Sequence, residues 1–197
     1  TNLGALLAAK GQLQQALLHL SQAVELNPDH LQARMNYGGA LGSSGDMRAA
    51  ADQFAQAVKI QPKLPAAHAR LAQSLLSAGA EAGAAKHFEK AIALRPTDGA
   101  SMLRLAWIWA TSTDQQLRDG DRALALAKQV NTATGGADPR ALDVLAAAYA
   151  EQGEFESAMR NAQLALDQLG TKNASLSAAI RLRLDSYQDD RPYRDER

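Results

Sequence analysis

Small and large apolar residues succeed one another along this chain at helical spacing, and the same set returns after a fixed step. Gly4, Gly38 and Ala72 are in register, as are Leu7, Leu41 and Leu75; Ala16, Ala50 and Ala84; Leu20, Phe54 and Phe88; and Ala23, Ala57 and Ala91. Leu26-Asn27-Pro28, Ile60-Gln61-Pro62 and Leu94-Arg95-Pro96 close three successive segments, and 62 − 28 = 34 and 96 − 62 = 34. A period of this length predicts one pair of antiparallel helices per repeat, stacked on its neighbours so that a shared core forms between units.

Each class of position has a job in such a pair. The small residues at 4, 38 and 72, with Ala16, Ala50 and Ala84 opposite, let the two helices approach, while Leu20, Phe54 and Phe88 fill the space between hairpins. Gly11, Gly45 and Gly79 fall where the first helix must stop and reverse, a place that favours positive φ. The prolines end the second helix, because a ring without an N–H cannot continue it.

The expected organisation is a truncated first repeat over residues 1–30, full repeats over 31–64 and 65–98, and altered ones over 99–136 and 137–170. In the fourth, Met102, Leu105, Ala106 and Trp109 repeat the first-helix pattern, but the small residue of the second helix arrives at Ala123, five places late. An insertion is therefore expected near 112–120. The fifth has Leu142, Leu145, Ala146, Tyr149 and Gly153, then Ala158, Ala162 and Ala165, with Gly170 in place of the closing proline. A capping helix is expected over 171–188, with Leu176, Ile180 and Leu184 on one face and Arg181, Arg183 and Asp185 elsewhere. The charged tail, 189–197, is expected to be mobile. Thr1 already lies inside a helical pattern, which predicts sequence upstream of it.

Composition agrees with an all-α array and narrows the partners. Hydrophobic residues make up 46% of the 197 and aromatics only 5%, so the apolar content is mostly alanine and leucine. Lysine plus arginine equals aspartate plus glutamate at 21 each, which leaves no net field for nucleic acid or an acidic membrane. There is no cysteine, hence no disulfide, thiolate metal site or cysteine nucleophile. No apolar run is long enough to span a bilayer.

The register residues at a 34-residue step resemble the tetratricopeptide repeat family. The stretch from Leu105-Ala106-Trp107 through Arg118-Asp119-Gly120, Thr134-Gly135-Gly136 and Asp138-Pro139 to Pro192-Tyr193-Arg194 is similar to the end of bacterial multi-repeat members. The resemblance implies a right-handed α-solenoid, a superhelix of stacked antiparallel helix pairs whose first helices line a concave groove. It implies protein or peptide partners and no cofactor.

On those first helices Asn2, Asn36, Arg70 and Arg104 form a ladder with a step of 34. In similar arrays asparagines at this place hold the backbone of an extended peptide. Arg70 and Arg104 depart from that pattern; guanidinium only donates hydrogen bonds, in a fork suited to carboxylate or phosphate, so part of the groove should prefer acid. The competing view is that these side chains are solvated or paired with neighbouring carboxylates. Met35, Leu76, Leu103 and Trp107 are the expected apolar floor, with Gln73 beside them and Trp107 as the anchor, unless the insertion folds back to bury it. A carboxylate clamp is not expected: Asn36 and Arg70 occupy two of its places, but Thr1, Ala5 and Ala66 stand at the others.

Catalysis finds little support. His19, His30, His68 and His87 are expected to lie apart, none at metal-binding helical spacing from a partner. Gly38-Gly39 and Gly135-Gly136 follow no strand and belong to no phosphate loop. The leading expectation is a non-enzymatic scaffold that grips an extended peptide or partner protein. The alternatives are an accessory recognition region of a larger enzyme such as a glycosyltransferase, and self-assembly through the open N-terminal end of the first hairpin. Cytoplasm and periplasm are equally compatible with the sequence.

Overall fold

The computed structural model describes residues 1–195. All regular structure among them is α-helical, and the chain divides into two compact units, Thr1–Thr97 and Asp98–Arg197. The first contains α1 (Asn2–Ala9), α2 (Leu13–Leu26), α3 (Leu31–Ser43), α4 (Met47–Ile60), α5 (Pro65–Ser77) and α6 (Glu81–Leu94). They pack as three hairpins in a row, with α2 also touching α3 and α4 also touching α5. The second contains α7 (Gly99–Thr111), α8 (Gly120–Ala133), α9 (Pro139–Glu151), α10 (Phe155–Leu169) and α11 (Ala174–Gln188). Here α7 packs on both α8 and α9, and α11 closes against α10. Among the described residues no helix is long and apolar enough to cross a membrane.

Why these segments become hairpins is visible in the 34-residue register. A Cβ placed on Gly38 would stand 2.9 Å from the Phe54 ring, and one on Gly4 would stand 2.6 Å from Leu20 Cγ. The bare backbone of the first helix is thus the seat for the large side chain of the second. Phe54 is 3% exposed and also joins Leu41, Ala50, Ala51 and Leu71, so one ring ties its own hairpin to the following one. Gly11, Gly45 and Gly79 take φ of 75°, 93° and 82° at the reversals, a conformation that side-chain-bearing residues rarely adopt. Asp46, Asp98, Asp119 and Asp138 accept hydrogen bonds from first-turn amides of α4, α7, α8 and α9, fixing where those helices begin.

A polar device follows the same step. Arg34 on α3 donates to the carbonyl of Pro28 (2.8 Å) and to Gln53 Oε1 on α4 (2.7 Å). One repeat later His68 on α5 lies 2.9 Å from the carbonyl of Pro62 and 3.0 Å from His87 Nδ1 on α6. Each side chain forms a polar strap from the preceding proline to the second helix. His68 and His87, expected to lie apart, are therefore stacked with ring centroids 5.3 Å apart. Their 19-residue separation concealed the pairing, which the fold of one hairpin creates. Among the described residues no group of three or more potential ligands is placed to hold a metal ion.

Two expected outcomes follow from this packing. Phe54→Ala removes the ring from its glycine seat and costs about 3–5 kcal/mol, read from urea unfolding. The second concerns the histidine pair: only one proton fits between the two Nδ1 atoms, and burial, reinforced by the nearby His68, holds His87 below the ordinary value of 6.5. A folded-state pKa lower than the unfolded one means the unfolded chain binds more protons. Stability from this group is complete above pH 6.5 and is lost as pH falls through the lowered value. Thermal unfolding between pH 8 and 5 should show that slope, and His87→Gln, which copies the Gln53 arrangement of the previous repeat, should flatten it.

Candidate peptide-binding site

In the first unit an open cleft of about 390 Å³ runs across α1, α3 and α5. Ala5 and Ala8 of α1 form one wall, Gln32, Met35, Asn36, Gly39, Ala40 and Ser43 of α3 the floor, and Arg70 of α5 the far side. First helices meet here because the second helices occupy their opposite faces. Gln32 Nε2 donates to Asn36 Oδ1 at 2.8 Å, which fixes the Asn36 amide and turns its own N–H₂ away from Gln32. Arg70 is exposed and makes no ion pair among the described residues, so its guanidinium has donors to offer across the cleft.

Of the expected site, the fold brings together Met35, Asn36 and Arg70. Asn2, Gln73 and Leu76 belong to the same unit but do not line this cleft; Gln73 Nε2 instead donates to Ser77 Oγ at 3.3 Å. Leu103, Arg104 and Trp107 lie in the second unit, where Leu103 is 9% exposed and serves as core. Sequence reasoning passed over Ala5, Gly39, Ala40 and Ser43, the small residues that make the cleft a cleft. Their signal is the 34-residue series Ala5, Gly39, Gln73 and Trp107, which begins small and ends with tryptophan.

Around Trp107 the second unit is arranged differently from expectation. The insertion, Ser112 to Asp119, is tied to Trp109, since Asp119 N–H donates to Trp109 O at 2.9 Å. The segment after α11 packs on Trp107. Asp190, at φ 53°, turns the chain, and Arg191 N–H donates to Ser186 O at 2.9 Å. Trp107 Nε1–H then donates to Asp195 Oδ2 at 2.7 Å, and the Tyr193 ring lies 6.0 Å from that of Trp107. The expectation of a mobile tail is corrected for 192–195, which these contacts fix; Glu196 and Arg197 lie outside the described residues.

Beneath this contact is a buried ion pair. Arg183, expected on a water-facing side of the capping helix, is 6% exposed and forks onto Asp143 of α9 with Nε to Oδ1 at 2.9 Å and Nη2 to Oδ2 at 2.7 Å. Its guanidinium also lies 5.0 Å from the Trp107 ring centroid and 5.6 Å from that of Tyr193. Burial pushes the Asp143 carboxyl up, and Arg183 pulls against that shift. The fully buried Tyr187 hydroxyl is pushed far up by the same burial and then by the Asp143 charge.

Comparisons with known proteins place this geometry in a class, that of all-α helical-repeat proteins built from stacked hairpins. Residues 1–65 and 40–99 match the model of the tetratricopeptide repeat. The chain belongs to the tetratricopeptide repeat family. Solved structures similar to it include MamA (16% identity, 87% of this chain and 90% of that chain, TM-score 0.75). YrrB, a TPR protein with an unusual peptide-binding site, is 19% identical over 92% of this chain and 89% of its own, with TM-score 0.76. PilW, a type IV pilus biogenesis factor, is 18% identical over 96% and 84%, with TM-score 0.75. At these identities the likeness establishes the fold. The search of curated proteins gives no match by sequence.

The ion pair makes a quantitative prediction. Arg183→Ala leaves the Asp143 carboxylate buried without its partner and costs about 3–5 kcal/mol in chemical unfolding, whereas Asp143→Leu combined with Arg183→Met recovers most of that loss.

Proposed function

We propose that the first unit binds an extended peptide in the cleft between α1, α3 and α5, and that an acidic side chain of the ligand pairs with Arg70. Members of this family serve in general as protein-interaction modules, and the finer reading rests on one observation: a cleft floored by small residues with an oriented amide on one side and an exposed guanidinium on the other. Ala5, Gly39 and Ala40 allow a peptide backbone to come close to α1 and α3. Asn36 offers an amide N–H₂ to a backbone carbonyl, and Met35 supplies adaptable apolar contact. Arg70 selects among ligands, since guanidinium donates in a fork that a carboxylate matches and a neutral side chain does not.

None of these groups is a nucleophile or a poised acid or base, so the cleft holds and does not react. Arg104 of the second unit continues the ladder in sequence.

In binding titrations Arg70→Ala should weaken an acidic peptide about 10- to 100-fold, equivalent to about 1.5–3 kcal/mol, and leave a neutral peptide of the same length within two- to three-fold. Equal loss for both peptides would remove the guanidinium from the recognition argument.

A further inference from the structure

The segment after α11 meets the second unit as a bound peptide would. Pro192 to Asp195 carries no helix, and Asp195 N–H donates to Thr111 O at 2.9 Å, a carbonyl left open at the end of α7. Each side chain from Tyr193 to Asp195 has its own receptor. The Tyr193 ring rests against Trp107 and Arg183. Arg194 Nη1 reaches Glu151 Oε2 at 2.6 Å and the Ala110 carbonyl at 3.4 Å. Asp195 takes the Trp107 indole N–H at 2.7 Å and is 8% exposed.

The receptor residues are positioned by contacts that do not involve the segment. Glu151 is held through its other oxygen by Arg118 Nε at 3.0 Å, and Arg118 is in turn anchored to the Ser112 carbonyl at 3.0 Å. Arg183 is forked onto Asp143, and its guanidinium lies 5.0 Å from the Trp107 ring centroid, so the indole packs on a side chain held independently of the segment. Receptor groups preset in this way form a site in their own right. The chain enters it from a turn at Asp190 whose left-handed backbone a residue other than glycine seldom adopts.

We infer that the α7–α9–α11 face of the second unit is a peptide-binding site occupied in cis by residues 192–195, which act as a self-ligand. Its specificity is for an extended peptide presenting an aromatic side chain, arginine and aspartate in that order, the aromatic against Trp107, the arginine on Glu151 and the aspartate on the indole N–H. The cis segment closes the site to such peptides, because a short tether presents it at an effective concentration of order millimolar. This site is separate from the first-unit cleft, and Arg70→Ala leaves it unchanged.

The test uses the full chain and the capped pentapeptide Arg-Pro-Tyr-Arg-Asp, the sequence of residues 191–195, as probe. In Tyr193→Ala/Arg194→Ala the cis segment loses its grip, and the peptide should bind in trans at least ten-fold more tightly than to the unaltered chain, by calorimetric titration. Peptides with Tyr, Arg or Asp singly changed to Ala should each lose ten-fold or more on that variant. Equal affinity for both proteins, no binding to either at millimolar peptide, or indifference to the peptide's side chains overturns the inference. A measurement on the unaltered chain guards against misfolding of the variant. Amide exchange at Asp195 should proceed by local release at least ten-fold faster than at Ile108 in α7, and exchange of the two together would mark the segment as fixed structure and reject a releasable ligand.

Discussion

The close seat of a large side chain on a bare stretch of helix backbone is the contact from which the first unit is built. Phe54 lies so near Gly38, and Leu20 so near Gly4, that a Cβ at either glycine would meet the opposing side chain inside normal contact. This approach sets the separation of the two helices in a hairpin. Because Phe54 also reaches Leu71 of the next repeat, the same ring carries the arrangement onward. Nothing in such packing requires residues distant in sequence to find one another, which is why each repeat needs only its neighbours.

The 34-residue step also governs features that are not apolar. Arg34 with Gln53 and His68 with His87 are one structural slot written in two chemistries, each strapped to the carbonyl of the preceding proline. A polar side chain can thus be seated between the helices of a hairpin with its hydrogen bonds met, provided both partners change within the same hairpin. The histidine version carries a pH dependence that the arginine version does not.

The two units solve the problem of the first-helix face in opposite ways. Where the series places Ala5 and Gly39, the first unit keeps an open cleft bordered by Asn36 and Arg70. Where it places Trp107, the second unit fills that face and draws the chain's own Tyr193, Arg194 and Asp195 over it. Glu151 is central to this closure, since one carboxylate holds Arg118 of the insertion and Arg194 of the closing segment together. Backbone groups at a helix end, an aromatic platform and paired charges are the means by which extended peptides are recognised in general, and the second unit applies them to itself.

Sequence alone determined the repeat. Small-against-large register, glycine at positive φ and proline after the second helix are local requirements, met within 34 residues and therefore written in the order of the chain. It also marked Met35, Asn36 and Arg70, because their position on a first helix decides which way they face. It misjudged Arg183, Trp107 and the last described residues, all of which look like surface features when read along one helix. Their surroundings come from elements up to 88 residues away, as in the contact between Trp107 and Asp195. Only the tertiary structure decided whether the Arg183 charge met water or Asp143, and whether Trp107 faced a ligand from outside or the chain itself. Periodicity fixes the direction of a side chain, and what lies in that direction depends on folding that brings distant segments together.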